Sequence, residues 1–132
     1  MTASCDVIDT TLGQFSVAFA YLFGSRVGAT AGARSDWDVA VYLSRLPEED
    51  PIWERFRIED ALARALGSDA VQVIILNRLD APLLEYEIVS KGKVLCERDA
   101  EARLLYESGA LRRFHDWRYW LDRHMAASQM GR

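Results

Sequence analysis

The sequence predicts an α/β (α+β) protein, a small mixed β-sheet backed by helices, and three observations carry that expectation. Short, largely apolar runs of strand length stand at 17–23, 37–43 and 71–76. Longer segments at 51–66 and 100–125 place apolar residues three and four apart, the helical period. Turn-forming residues separate these runs, among them Gly24, the pair Asp50-Pro51 and Gly67. The chain has 132 residues, 50% of them hydrophobic, which suits one domain over 1–132 with a sizeable core.

Taken in order, a first strand is expected at about 15 to 23, because the apolar stretch Val17 to Phe23 reads as a buried strand. A turn and a short helix follow at about 24 to 32, then a second strand at about 37 to 43. The helix at about 51 to 66 is well signalled: Asp50 can cap it, Pro51 fits its first turn and Gly67 provides the stop. Within it Ile52, Phe56, Ala63 and Leu66 share a face. A strand at about 71 to 76, a helix near 81 to 90, a short strand near 93 to 97 and a long helix from about 100 to 125 complete the order. In that last helix Leu111, Phe114, Trp117 and Leu121 make an apolar stripe. A core-facing stripe explains it, and so does a partner interface, since Trp117, Tyr119 and Trp120 are many large aromatics for a terminal element.

The chemistry concentrates in residues 22 to 38, Leu-Phe-Gly-Ser-Arg-Val-Gly-Ala-Thr-Ala-Gly-Ala-Arg-Ser-Asp-Trp-Asp. A glycine beside a serine at the end of a strand lets backbone N–H groups and a hydroxyl approach a polyphosphate, so Gly24 supplies clearance and Ser25 grip. Asp36 and Asp38 open the second strand at alternate positions, which directs both carboxylates to one face and Trp37 to the other. Two hard oxygen ligands on one face can hold Mg²⁺ or Mn²⁺. The plain alternative for the aspartates is capping of a turn before a strand.

Gly-Ser, ten residues, then Asp-x-Asp resembles the signature of the DNA polymerase β-type nucleotidyltransferase superfamily, and the short chain resembles its minimal (MNT) branch. Residues 71 to 95 are similar to the later strand, helix and closing strand of that fold, so the likeness spans most of the chain. The resemblance implies a polymerase β-type nucleotidyltransferase fold. It further implies the antitoxin of a HEPN/MNT toxin–antitoxin pair, which transfers AMP from ATP to a tyrosine of the HEPN ribonuclease toxin. On that basis Asp36 and Asp38 are the catalytic and metal-binding residues, Gly24, Ser25 and Arg26 hold the nucleotide, and the protein works in a hetero-oligomer.

The chain departs from the superfamily pattern at two places. Two-metal phosphoryl transfer normally uses three acids, and Gln72 stands where the later central strand carries the third. Ile75 likewise replaces a frequent second acid, leaving Asp69, Glu85 and Glu87 as candidates for compensation. After Ser25 the run Arg26-Val27-Gly28-Ala29-Thr30-Ala31 lacks the second arginine common in this branch; Arg26 and Arg34 can meet phosphates or form surface ion pairs. Gln72 therefore supports a second reading, a catalytically degenerate fold that neutralises the toxin by binding alone. A drug- or RNA-modifying transferase fits less well, because such relatives add a substrate domain.

The rest of the sequence mostly excludes. A formal charge of −4 argues against direct nucleic-acid binding, although Arg112, Arg113, Arg118 and Arg123 cluster near the C-terminus as a solvated helix face or a protein-docking surface. No stretch approaches the roughly 20 apolar residues of a membrane helix, and no leader is evident, so a cytoplasmic protein is expected. Cys5 and Cys96 read as ordinary thiols, and His115 and His124, nine apart, as exposed or helix-end histidines. Ser25 has no evident His/Asp companions, and the glycines form no Walker loop.

Overall fold

Four strands form one mixed sheet in the computed structural model, which describes residues 2–24, 36–48 and 50–130. They are β1 (Val17–Phe23), β2 (Trp37–Leu43), β3 (Val71–Ile75) and β4 (Lys93–Glu97), in the spatial order β3-β2-β1-β4. β1 runs antiparallel to both its neighbours, β2 and β4, and β3 is parallel to β2. Helices α1 (Thr2–Leu12), α2 (Pro51–Leu66), α3 (Pro82–Lys91) and α4 (Ala100–Met130) surround the sheet. Among the described residues no helix is long and apolar enough to cross a membrane.

The apolar sequence of β1 follows from its central place between two layers. On one face Val17, Ala20 and Leu22 join Trp37, Val39, Val41 and Leu43 of β2 against Ile8 and Leu12 of α1 and Ile58 and Leu62 of α2. On the other face Ala18, Phe19 and Tyr21 pack with Ala40, Leu76 and Ile88, with Tyr106 of α4 at the margin. A register shift between Val17 and Phe19 lets the consecutive Ala18 and Phe19 serve the same layer. Phe19, Tyr42 and Tyr106 form an aromatic cluster there, Phe19 and Tyr42 being stacked at 4.8 Å.

Helix α2 starts and stops where its capping residues predict. The Asp50 carboxylate accepts the Ile52 N–H at 3.1 Å, Pro51 fills the first position, and Gly67 closes the helix at φ 64°. Its buried face differs from the apolar face expected. Ile58 and Leu62 enter the core, with Ala63 and Leu66 packed beside them, while Ile52 and Phe56 are exposed. The helix carries apolar residues on two sides, and only the sheet decides which side is covered.

Helix α1 was not expected. Cys5, Ile8 and Leu12 fall on one helical face and pack on the core, but Asp6, Asp9, Thr10 and Thr11 between them are poor helix formers. Tertiary burial outweighs that propensity, and β1 therefore begins at Val17 rather than near residue 15. The short helix expected at about 24 to 32 lies, beyond Gly24, outside the described residues. The last helix runs further than expected, to Met130.

Two side chains tie the sheet margins. Asn77 brackets Leu43, its carbonyl oxygen accepting the Leu43 N–H at 2.8 Å and its amide donating to the Leu43 carbonyl at 2.9 Å. Glu59 of α2 accepts the Val73 N–H at 2.8 Å on the open side of β3. That outer strand thus has one of its unpaired donors satisfied.

Candidate functional site

The end of β1 and the start of β2 meet at one point because Phe23 pairs with Asp38. Gly24, next along the chain, has φ 78°, a left-handed conformation that favours glycine. A Cβ at this position would run into the Asp38 carboxylate, so the missing side chain is what admits that group beside the turn. The spacing of Gly24 and Asp38 in the sequence becomes direct adjacency in space.

Asp38 is half-buried and shares a face of β2 with Ala40 and Tyr42, the face on which α3 and α4 pack. Burial raises its pKa above the ordinary carboxylate value, and the negative charge of Asp36 adds to the shift. Asp36 is exposed and sits immediately before the strand. Trp37 between them is buried in the opposite layer, as the alternation requires, and its backbone N–H donates to the Ala70 carbonyl at 2.7 Å. Two carboxylates close enough to repel one another beside a side-chain-free turn suit a divalent cation, which would relieve that repulsion. Ser25, Arg26 and Arg34 lie outside the described residues.

Gln72 is the register partner of Asp38 on β3 and is exposed on the same face of the sheet. The position adjoining the aspartate across the ladder therefore carries a neutral amide. Of the three compensating acids, two are placed off the strand or held by other groups, and the third, Glu87, lines the cleft beside Gly24. Asp69 is exposed in the loop before β3 and belongs to no strand. Glu85 is 2% exposed and occupied, its Oε1 accepting Arg113 Nε at 3.0 Å, Arg113 Nη2 at 2.7 Å and the Tyr106 hydroxyl at 3.3 Å. Glu87 pairs with Lys91 at 3.4 Å. Among the described residues no group of three or more His, Cys, Asp or Glu side chains could hold a metal ion.

A cleft of about 790 Å³ opens beside Gly24, between the end of β1 and α3. Phe23, Gly24, Leu83, Leu84, Glu87 and Lys91 line it. The sequence singles out Lys91 only as one of two lysines; its place beside the turn follows from the packing of α3.

The C-terminal arginines divide. Arg113 serves the fold through Glu85, whereas Arg123 meets the Tyr119 hydroxyl at 2.9 Å and Arg118 faces Asp122 at 3.8 Å, both on the exposed helix surface. Phe114 stacks on Tyr86 of α3 at 4.0 Å, and Trp117 and Leu121 are half-buried, while Leu111, Tyr119 and Trp120 are exposed. The stripe is thus partly core and partly free surface. His115 and His124 are exposed.

Residues 6–101 match the family described as polymerase beta, nucleotidyltransferase. The fold is similar to a solved toxin–antitoxin structure with AMP-PNP, at 24% identity over 95% of this chain and 98% of that one, with a TM-score of 0.77. It is similar to a chain of the toxin–antitoxin MntA–HepT structure, at 21% identity over 98% of this chain and 99% of that one, TM-score 0.73. A third similar structure is a tri-AMPylated Shewanella oneidensis HEPN toxin in complex with MNT antitoxin, at 22% identity over 97% and 98% of the two chains, TM-score 0.71. No curated protein matches the chain in sequence.

Proposed function

Because the chain belongs to the polymerase β nucleotidyltransferase family, we propose that it is the antitoxin of a HEPN/MNT pair and transfers AMP from ATP to a tyrosine of its HEPN toxin. The adjacency of Gly24 and Asp38 carries this reading, because it joins a phosphate-accessible turn to a pair of carboxylates. Similarity to solved toxin–antitoxin structures, one holding AMP-PNP and one an AMPylated toxin, supports the choice of partner and nucleotide.

In this reaction the tyrosine oxygen bonds to the α-phosphorus, the bond to the β-phosphate oxygen breaks, and pyrophosphate leaves. Gly24 and Ser25 hold the phosphate chain by backbone N–H groups and a hydroxyl. Asp36 and Asp38 would hold Mg²⁺, which when bound neutralises charge on the phosphates. The amide of Gln72 cannot take the tyrosine proton, so water or a carboxylate of the Asp36 and Asp38 pair must accept it.

A second reading rests on that glutamine. With Gln72 opposite Asp38 and Glu85 held by Arg113, the acids available to a second cation are few, and the protein would restrain its toxin by binding alone. Intact-mass measurement of the co-expressed HEPN partner, before and after incubation with ATP and Mg²⁺, separates the two. Addition of AMP that Asp38→Asn abolishes supports transfer. A stable complex with unmodified toxin supports the binding role. A protein that forms no complex and modifies nothing overturns both.

A further inference from the structure

The chain has only two lysines, Lys91 and Lys93, and both flank the end of β1 where the candidate site lies. Lys93 is the register partner of Leu22. Gly92 between them lies against β1, so that a Cβ there would come within 3.2 Å of the Leu22 carbonyl oxygen. Lys91 ends α3 and shares the cleft of about 790 Å³ with Phe23 and Gly24. All fourteen other basic residues are arginines, so the compact, mobile ammonium groups of the molecule are gathered at this one place.

The cleft and the carboxylates are continuous. Gly24 lines the cleft, and its missing side chain is the space that Asp38 occupies. Helix α3, which supplies Leu83 and Leu84, packs on the sheet face to which Asp38 belongs. The volume falls within the several-hundred-Å³ range of small-molecule sites, and the lining is largely apolar with Glu87 and Lys91 its charged members. Such a lining suits a flat heterocycle. The ammonium suits its phosphates, and the present partner of Lys91 is a weak tether: Glu87 lies at 3.4 Å, with the two side chains 47% and 72% exposed.

We infer that this cleft is the nucleobase subsite of a nucleoside triphosphate and that Lys91 is its phosphate-side cation, an inference that rests on the nucleotidyl-transfer reading above. Phe23, Leu83 and Leu84 enclose the base, the sugar crosses Gly24, and Lys91 leaves Glu87 for the phosphate chain. The arrangement places a positive charge on the side of the turn away from β3, where Gln72 withholds a ligand.

Calorimetry on the full chain with Mg²⁺ tests this with two probes, AMP-PNP and inorganic tripolyphosphate. Wild type should bind AMP-PNP at least tenfold more tightly than tripolyphosphate. Leu83→Asp puts a carboxylate on an exposed residue in the first turn of α3, a helix position that tolerates acids, so the fold is retained. It should weaken AMP-PNP at least tenfold and leave tripolyphosphate unchanged. Lys91→Ala should weaken both probes about tenfold, and Lys91→Arg should restore most of the loss. If wild type binds AMP-PNP while both Leu83→Asp and Lys91→Ala stay within twofold of it, the subsite assignment fails and the transfer reading stands. If Leu83→Asp loosens the HEPN complex and leaves nucleotide affinity intact, the cleft is a partner groove and the assignment is wrong. Wild-type affinity for neither probe overturns both the assignment and the reading beneath it.

Discussion

Arg113 of α4 lays its guanidinium on Glu85 of α3 through two N–H groups, at 3.0 and 2.7 Å, and the carboxylate it meets is 2% exposed. Gly109 makes the approach possible, since a Cβ there would stand 2.8 Å from Arg113 Nη1. One ion pair thus pins the long last helix to the helix that walls the cleft beside Gly24. Arg113→Ala strands a buried charge with the Tyr106 hydroxyl beside it and should cost about 2 kcal/mol, less than breaking a fully buried pair because the arginine is partly exposed. Urea unfolding measures it, and Glu85→Gln combined with Arg113→Met should recover part of the loss.

Gly24→Ala should disable the site more than it harms the fold. The left-handed backbone adds roughly 1 kcal/mol of strain, and the new methyl displaces the Asp38 carboxylate. Metal-dependent affinity for AMP-PNP is expected to fall at least tenfold in calorimetry, with the circular dichroism spectrum unchanged.

Asp38 should limit stability at neutral pH. Its pKa in the fold is raised by burial and by Asp36, so the folded state holds the proton more tightly than the unfolded chain does. That proton-linked stability is fully present below the unfolded value of about 3.9 and is lost as pH rises through the folded value. Asp38→Asn should therefore melt above wild type at pH 7, with the advantage disappearing as pH falls toward 4. Millimolar Mg²⁺ should raise the wild-type melting temperature and leave an Asp36→Asn/Asp38→Asn protein unmoved.

Gln72→Asp should speed AMP transfer. The residue is exposed and beside Asp38 in register, so an acid there adds a third carboxylate at little folding cost. Recovering about 3 kcal/mol of the barrier corresponds to roughly a hundredfold in rate. Intact-mass time courses on the HEPN partner decide it. Brisk wild-type transfer that the substitution does not improve would mean another group completes the site.

Tyr119 and Trp120, 63% and 53% exposed, should anchor the proposed complex with a HEPN toxin. Replacing both by alanine is expected to weaken association by about 2 kcal/mol, near thirtyfold, by surface plasmon resonance, with the isolated chain melting as before.

The elements that sequence patterning locates best are those with local signals: α2 between Asp50 and Gly67, and β1 as an unbroken apolar run. The Gly24 and Asp38 pair is legible too, because strand alternation and a glycine turn constrain it locally. What escapes depends on register and packing. That Ile58 and Leu62 of α2 are covered, rather than Ile52 and Phe56, is settled by the sheet. The opposition of Gln72 to Asp38 rests on a parallel ladder between strands more than thirty residues apart, and the likeness to a known family suggested it before any local feature could. Helix α1 escapes because its aspartates and threonines mask a three-residue stripe. Lys91 carries no motif; only the return of α3 to the end of β1 gives it meaning.

Ala110 is the last fully buried residue of α4, and from Asp122 to Ala127 every side chain is exposed. Exchanging these residues removes no core contact, only pairings along the helix surface such as Arg123 with Tyr119 and His124 on Trp120, whereas a side chain at Gly24 would run into Asp38. The tip of the helix can therefore change its surface chemistry without touching the Gly24–Asp38 pair. The same freedom makes the tip a graft point, where the last turns of the helix can be exchanged for another sequence while the body of the domain is kept.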